Sequence, residues 1–129
     1  MSKVVLDASA LLAFLKDEPG GSAVRQLMPT SVMSAINLAE VATTLIHGGM
    51  PADEVELALR ELPIRIVPLD EDQAYQASAL RPLTADKGLS LGDRCCLALA
   101  RSLALPALTC DRAWGGLPPD IGVEVQLVR

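Results

Sequence analysis

Short β-branched runs alternate with helix-forming stretches along this chain, and that alternation restricts its fold more than any other feature. Lys3 to Leu6 is apolar and β-branched and stops at Asp7; Ala8 to Leu15 then turns to Ala and Leu, so a strand leads into a helix. Pro19-Gly20-Gly21 punctuates, Ser22 to Met28 predicts a short helix, and Ser31-Val32-Met33 a brief strand. Leu38, Val41, Ala42 and Leu45 recur at helical spacing, which predicts a helix over Ala35 to His47 that Gly48-Gly49 stops. A further helix is expected from Pro51 to Leu62, with Pro51 at its first position and Asp53, Glu54 and Glu56 early in it. Ile64 to Leu69 reads as a strand, Asp70 to Ala79 as a helix limited by Pro82, and Ser90 to Ala104 as the most apolar helix. Pro106 to Cys110 and Gly122 to Val128 read as closing strands. Such alternation predicts an α/β fold, a parallel sheet covered by helices, rather than a bundle or a sandwich. At 129 residues the chain has the length of one domain, and no repeat or linker divides it.

Composition narrows the function. There are 16 Asp and Glu against 11 Lys and Arg, a net charge of −5, which argues against a broad basic surface for nucleic acid. One Trp, one Tyr and one Phe are too few for binding single strands mainly by base stacking. His47 is the only histidine, so a mechanism needing two imidazoles lacks its parts. Cys95, Cys96 and Cys110 show no CxxC spacing and an odd count, which fits neither a disulfide framework nor a zinc site; they read as small buried hydrophobes. No run approaches the roughly 18 apolar residues of a membrane span. Asp7 interrupts the stretch where a signal peptide needs its apolar core, so a reducing, cytoplasmic setting is expected.

Carboxylates are therefore the abundant chemistry, and their positions differ in meaning. In an open α/β sheet the ligand crevice lies beyond the carboxyl ends of the strands. Asp7 follows the first strand and Asp111 follows the Ala107-Leu108-Thr109-Cys110 strand, although either also reads as a turn or helix-capping aspartate. Glu40 lies mid-helix in a polar stripe with Asn37, Thr44 and His47, which a solvated face also explains. Asp93 tops the apolar face of its helix, and Ser90-Leu91-Gly92-Asp93 also fits a capping box. Asp53, Glu54, Glu56, Asp70, Glu71 and Asp72 suit helix first turns facing water. If Asp7, Glu40, Asp93 and Asp111 converge, their repulsion calls for a cation. Hard oxygen donors suit Mg2+ or Mn2+, and the chemistry suggested is phosphodiester hydrolysis.

Four stretches carry a resemblance that runs in order over nearly the whole chain. They are Val4-Val5-Leu6-Asp7-Ala8-Ser9-Ala10-Leu11-Leu12-Ala13, Ser34-Ala35-Ile36-Asn37-Leu38-Ala39-Glu40-Val41, Leu89-Ser90-Leu91-Gly92-Asp93-Arg94 and Leu108-Thr109-Cys110-Asp111-Arg112-Ala113-Trp114. Together they resemble PIN-domain ribonucleases, and more narrowly the VapC-type toxins of toxin-antitoxin pairs. The resemblance implies one PIN-like domain over residues 1–129, with about five parallel strands flanked by helices. It places Asp7, Glu40, Asp93 and Asp111 as the acidic quartet holding Mg2+ or Mn2+. Ser9 and Thr109 match the hydroxyl positions beside the first and last acids, and Asn37 lies one turn before Glu40. The implied activity is endoribonucleolytic cleavage of structured RNA, often transfer or ribosomal RNA, by a homodimer that a VapB-type antitoxin inhibits.

Arg94 and Arg112 neighbour two of the acids and can either meet substrate phosphate or brace a carboxylate. Trp114 reads as a packing or lid residue rather than a base-stacking one. Two other functions fit a small α/β chain. A PIN-like domain can serve only as a binding partner. A phosphoacceptor receiver also binds Mg2+ at strand ends, but it resembles a pattern with paired acids after the first strand, where this chain has Asp7-Ala8-Ser9.

Overall fold

The computed structural model describes residues 1–129. Its elements follow the alternation: β1 (Val4–Leu6), α1 (Ala8–Leu15), α2 (Gly21–Leu27), β2 (Ser31–Ser34), α3 (Ala35–His47), α4 (Ala52–Arg60) and β3 (Arg65–Val67) form the first part. Then come α5 (Glu71–Ala79), α6 (Arg81–Thr84), α7 (Leu91–Leu103), β4 (Ala107–Thr109) and β5 (Val125–Leu127). The strands make one five-stranded sheet in the order β3-β2-β1-β4-β5, and every pairing is parallel. β1 is the central strand. The chain builds outward from it in one direction to β3 and in the other to β5, so the order reverses between β1 and β4. Ligands of open α/β sheets bind where that reversal occurs, outside the carboxyl ends of the strands. Receiver domains follow the order 2-1-3-4-5. Here β3 is an outer strand, two places from β1, which removes the receiver reading.

Side-chain alternation explains the two cores. Val5, Val32 and Ala107 stand level with one another and face one side of the sheet, where α5 and α7 bury Ala77, Leu80, Leu97 and Leu99 against them. Val4, Leu6, Met33 and Leu108 face the other side, with Leu11 of α1, Val24 of α2 and Val41 of α3. Coverage on both faces leaves all three residues of β1 buried, as a central parallel strand requires. Each fully buried Val or Leu contributes about 1.5–3 kcal/mol.

Four strands are shorter than the apolar runs that encode them, as when Ile64 to Leu69 yields Arg65–Val67 and Gly122 to Val128 yields Val125–Leu127, while β2 runs one residue past Met33 to Ser34. Pro51 is the N-cap of α4 rather than its first residue. Pro82, expected only to end a helix, instead sits in the first turn of the separate α6, where its missing N–H costs nothing. Single-turn 3-10 segments at Ala85–Lys87, Arg112–Gly116 and Pro119–Ile121 had no periodic signal to reveal them. No helix is long and apolar enough to cross a membrane.

Candidate active site

Asp7 leaves β1 directly into α1 and is the N-cap of that helix, 3% exposed. Its Oδ1 accepts the Ala8 amide at 2.7 Å, and its Oδ2 accepts the Ser9 hydroxyl at 2.6 Å and the Thr109 hydroxyl at 2.8 Å. A carboxylate offers about four acceptor positions, so the one left open is on Oδ1. Burial is the strongest influence on this carboxyl group and lifts its pKa to about 6. The hydroxyls of Ser9 and Thr109 and the Ala8 amide pull it down, while the nearby Asp93 carboxylate pushes it up.

The same two hydroxyls fasten Asp7 to the end of β4. Ser9 Oγ accepts the Cys110 amide at 3.0 Å, and Thr109 Oγ1 accepts the Asp111 amide at 3.0 Å. Asp111 then caps the 3-10 turn at Arg112–Gly116, its Oδ1 accepting the Ala113 amide at 3.0 Å, and is exposed. Both aspartates therefore cap helical turns, as their sequence context allows, and both stand at carboxyl ends of neighbouring strands.

Glu40 and Asp93 reach that end of the sheet from helices. Since α7 runs back toward β4, its first turn lies beside the strands' carboxyl ends. Ser90 and Asp93 complete the capping box there: Ser90 N–H donates to Asp93 Oδ2 at 2.9 Å, and Asp93 N–H donates to Ser90 Oγ at 3.2 Å. Asn37 is wholly buried, so the polar stripe of α3 is not a solvated face at this turn. Its Nδ2 donates to Glu40 Oε1 at 2.8 Å and to the Gly92 carbonyl at 3.0 Å, which ties α3 to α7. His47, in the last turn of α3, is exposed and joins no part of this arrangement.

The fully buried Cys96 thiol shows how these acids gather. Burial raises its pKa well above the ordinary thiol value, and Asp7, Asp93 and Glu40 all raise it further, so all three acids lie within electrostatic reach of one sulfur. All three cysteines are free and buried, with thiols held protonated chiefly by burial, and they behave as the small hydrophobes expected. The carboxylates share this end of the sheet, yet no three of them stand close enough together to enclose an ion. No Lys or Arg pairs with any of the four, because the only ion pairs join Arg60 to Glu56 and Arg129 to Glu18. A buried carboxylate with no cationic partner and with Asp93 near it fits a hard divalent cation as the missing positive charge.

Arg94 and Arg112 brace no carboxylate. Arg94 Nη1 donates to the Ala77 carbonyl at 3.1 Å, where it complements the C-terminal end of α5, and its Nε is buried without a partner. Arg112 is exposed beside Asp111. Trp114 is 1% exposed in the core formed with α5 and α7, which makes it a packing residue. Gly92 is the residue that sequence reasoning passed over. Its signal was a glycine in the first turn of an otherwise strong helix, a place where glycine is disfavoured.

A family model for the PIN domain matches residues 4–116. No curated protein matches the chain in sequence. Among solved structures, a toxin-antitoxin complex from Klebsiella pneumoniae is similar with a TM-score of 0.75 at 21% identity, over 98% of each chain. DNA-bound VapBC from Salmonella typhimurium gives a TM-score of 0.72 at 20% identity, over 100% of each chain. A Mycobacterium tuberculosis VapC toxin that cleaves the sarcin-ricin loop gives 0.71 at 18% identity, over 95% of this chain and 99% of that one. At such identities the likeness is one of fold.

Proposed function

This chain belongs to the PIN-domain family, and from that premise we propose that it is a metal-dependent endoribonuclease, the toxin of a VapBC-type pair. The observation that carries the reading is Asp7: a buried carboxylate, bound by Ser9, Thr109 and the Ala8 amide, with an acceptor position open on Oδ1 and no basic partner. Asp7, Glu40, Asp93 and Asp111 would hold Mg2+ or Mn2+, which would activate water for attack and screen the phosphate charge.

The protein's own part is positioning. Ser9 and Thr109 fix the Asp7 rotamer and direct their hydroxyl protons at Oδ2, which leaves Oδ1 for the cation. Asn37 does the same for Glu40. Asp7 must give up its proton before it can serve as a ligand, and a pKa of about 6 makes that possible at neutral pH. The exposed Arg112 is a candidate for the substrate phosphate.

The reading extends to setting and partners. We take residues 1–129 as one PIN-like domain, cytoplasmic and homodimeric, with RNA as substrate. Free thiols are in keeping with a reducing compartment. An apolar groove of about 620 Å³ between α3, α4 and β3, lined by Leu38, Ala42, Val55, Leu59 and Ile64, suits the amphipathic helix of a VapB-type antitoxin.

The experiment is direct. Purified chain freed of antitoxin should cleave RNA with Mg2+ or Mn2+, stop with chelator, and lose cleavage on Asp7→Asn. Cleavage that persists in Asp7→Asn with chelator present overturns the reading.

A further inference from the structure

Gly92 has ordinary helical backbone in the first turn of α7; the left-handed glycines are Gly20, Gly49, Gly88 and Gly122. Conformation therefore does not explain its presence, and glycine is a poor helix former. Space does. A Cβ placed on Gly92 would lie 2.6 Å from the carboxyl carbon of Glu40, closer than real Cβ contacts come. The Glu40 carboxylate rests on the bare Cα of α7.

Asn37 holds it there. Both Nδ2 protons are committed, one to Glu40 Oε1 and one to the Gly92 carbonyl, and turning the amide over would set its oxygen against two acceptors. In making those bonds Asn37 leaves its own Oδ1 buried and unpartnered, a cost that packing of α3 on α7 does not demand. The three atoms nearest such a Cβ all belong to the Glu40 carboxyl group, the far end of a flexible side chain that can move aside.

We propose that Gly92 is a positioning residue for Glu40: its missing side chain makes the seat that holds the Glu40 carboxylate against the first turn of α7, the turn that carries Asp93. The inference rests on the metal-dependent reading above and names a residue that acts through Glu40 without touching substrate. Gly92→Ala then leaves the fold intact and displaces a carboxylate.

The test is Mn2+ titration of the full chain by calorimetry, without RNA, for wild type, Gly92→Ala, Glu40→Ala and the double variant, with thermal unfolding of each. Gly92→Ala is expected to keep the wild-type Tm and to bind Mn2+ roughly 10- to 100-fold more weakly, the usual effect of disturbing a ligand's support. With Glu40 removed, Gly92→Ala should change nothing further. Unfolding of Gly92→Ala that Glu40→Ala relieves supports the same seat. Wild-type Mn2+ affinity in Gly92→Ala, an equal loss in the Glu40→Ala background, or unfolding in both backgrounds overturns the proposal. A wild-type chain that takes up no Mn2+ overturns the metal-dependent reading instead.

Discussion

Thr109 Oγ1 donates to Asp7 Oδ2 at 2.8 Å, a bond between residues 102 positions apart, while accepting the amide of Asp111. One hydroxyl thus serves two of the four acids, and several consequences can be measured.

Thr109→Val keeps shape and removes that hydroxyl. The Asp111 amide loses its acceptor and Asp7 loses one of two donors on Oδ2. Stability should fall by about 1–3 kcal/mol in urea, and RNA cleavage should fall roughly 10- to 100-fold. Wild-type turnover in this variant would show that Asp7 needs no such support.

Asp7→Asn should abolish cleavage yet stabilise the metal-free protein at pH 7. The folded pKa, about 6, stands above the ordinary 3.8, so this group's contribution to stability is complete below pH 3.8 and is lost as pH rises through about 6. Ionised Asp7 at neutral pH costs roughly 3 kcal/mol, from about 1.4 kcal/mol per pKa unit. Asparagine escapes that cost, since the Ser9 and Thr109 hydroxyls can rotate to accept from its amide. Denaturation curves should show a gain of about 1–3 kcal/mol at pH 7 that vanishes near pH 4; no gain at pH 7 refutes this account of Asp7.

Metal affinity should follow the same proton. Below pH 6 the apparent Mn2+ affinity should drop about tenfold per unit, because Asp7 must be deprotonated to ligate. Calorimetry at pH 5, 6 and 7 in matched buffers checks it, and a flat profile would exclude Asp7 from the ligand set.

Arg94→Met should act on stability rather than on substrate. Its guanidinium serves the C-terminal end of α5 through the Ala77 carbonyl, so a loss of about 1–2 kcal/mol is expected. An unchanged KM for RNA goes with that role. A raised KM with unchanged stability would return Arg94 to the phosphate-binding part first suggested by its place beside Asp93.

The sheet was legible in the sequence because its central strands are buried on both faces, and Val4-Val5-Leu6 and Ala107-Leu108-Thr109 announce themselves as apolar runs. The outer strand Arg65–Val67 pairs on one side only, and its ends were set by that pairing, which local sequence does not encode. Of the site, Asp7 and Asp111 could be picked out as acids at strand ends. Asp93 carried two meanings: it caps α7, and it lies near enough to Asp7 to raise that carboxyl's pKa. Asn37 looked like part of a wet stripe because its burial comes from α7, some fifty residues on. Gly92 was hidden for a related reason: the atoms it makes room for belong to another helix.

The position of β1 in the middle of the sheet bears on the order in which this end of the molecule can assemble. Asp7 is made well before Thr109, which follows it by 102 positions. A partly synthesised or truncated chain ending before β4 has no second hydroxyl for Asp7 and no fourth acid. Contacts of such long range form late, so the Asp7–Thr109 bond is made only once β4 has joined β1.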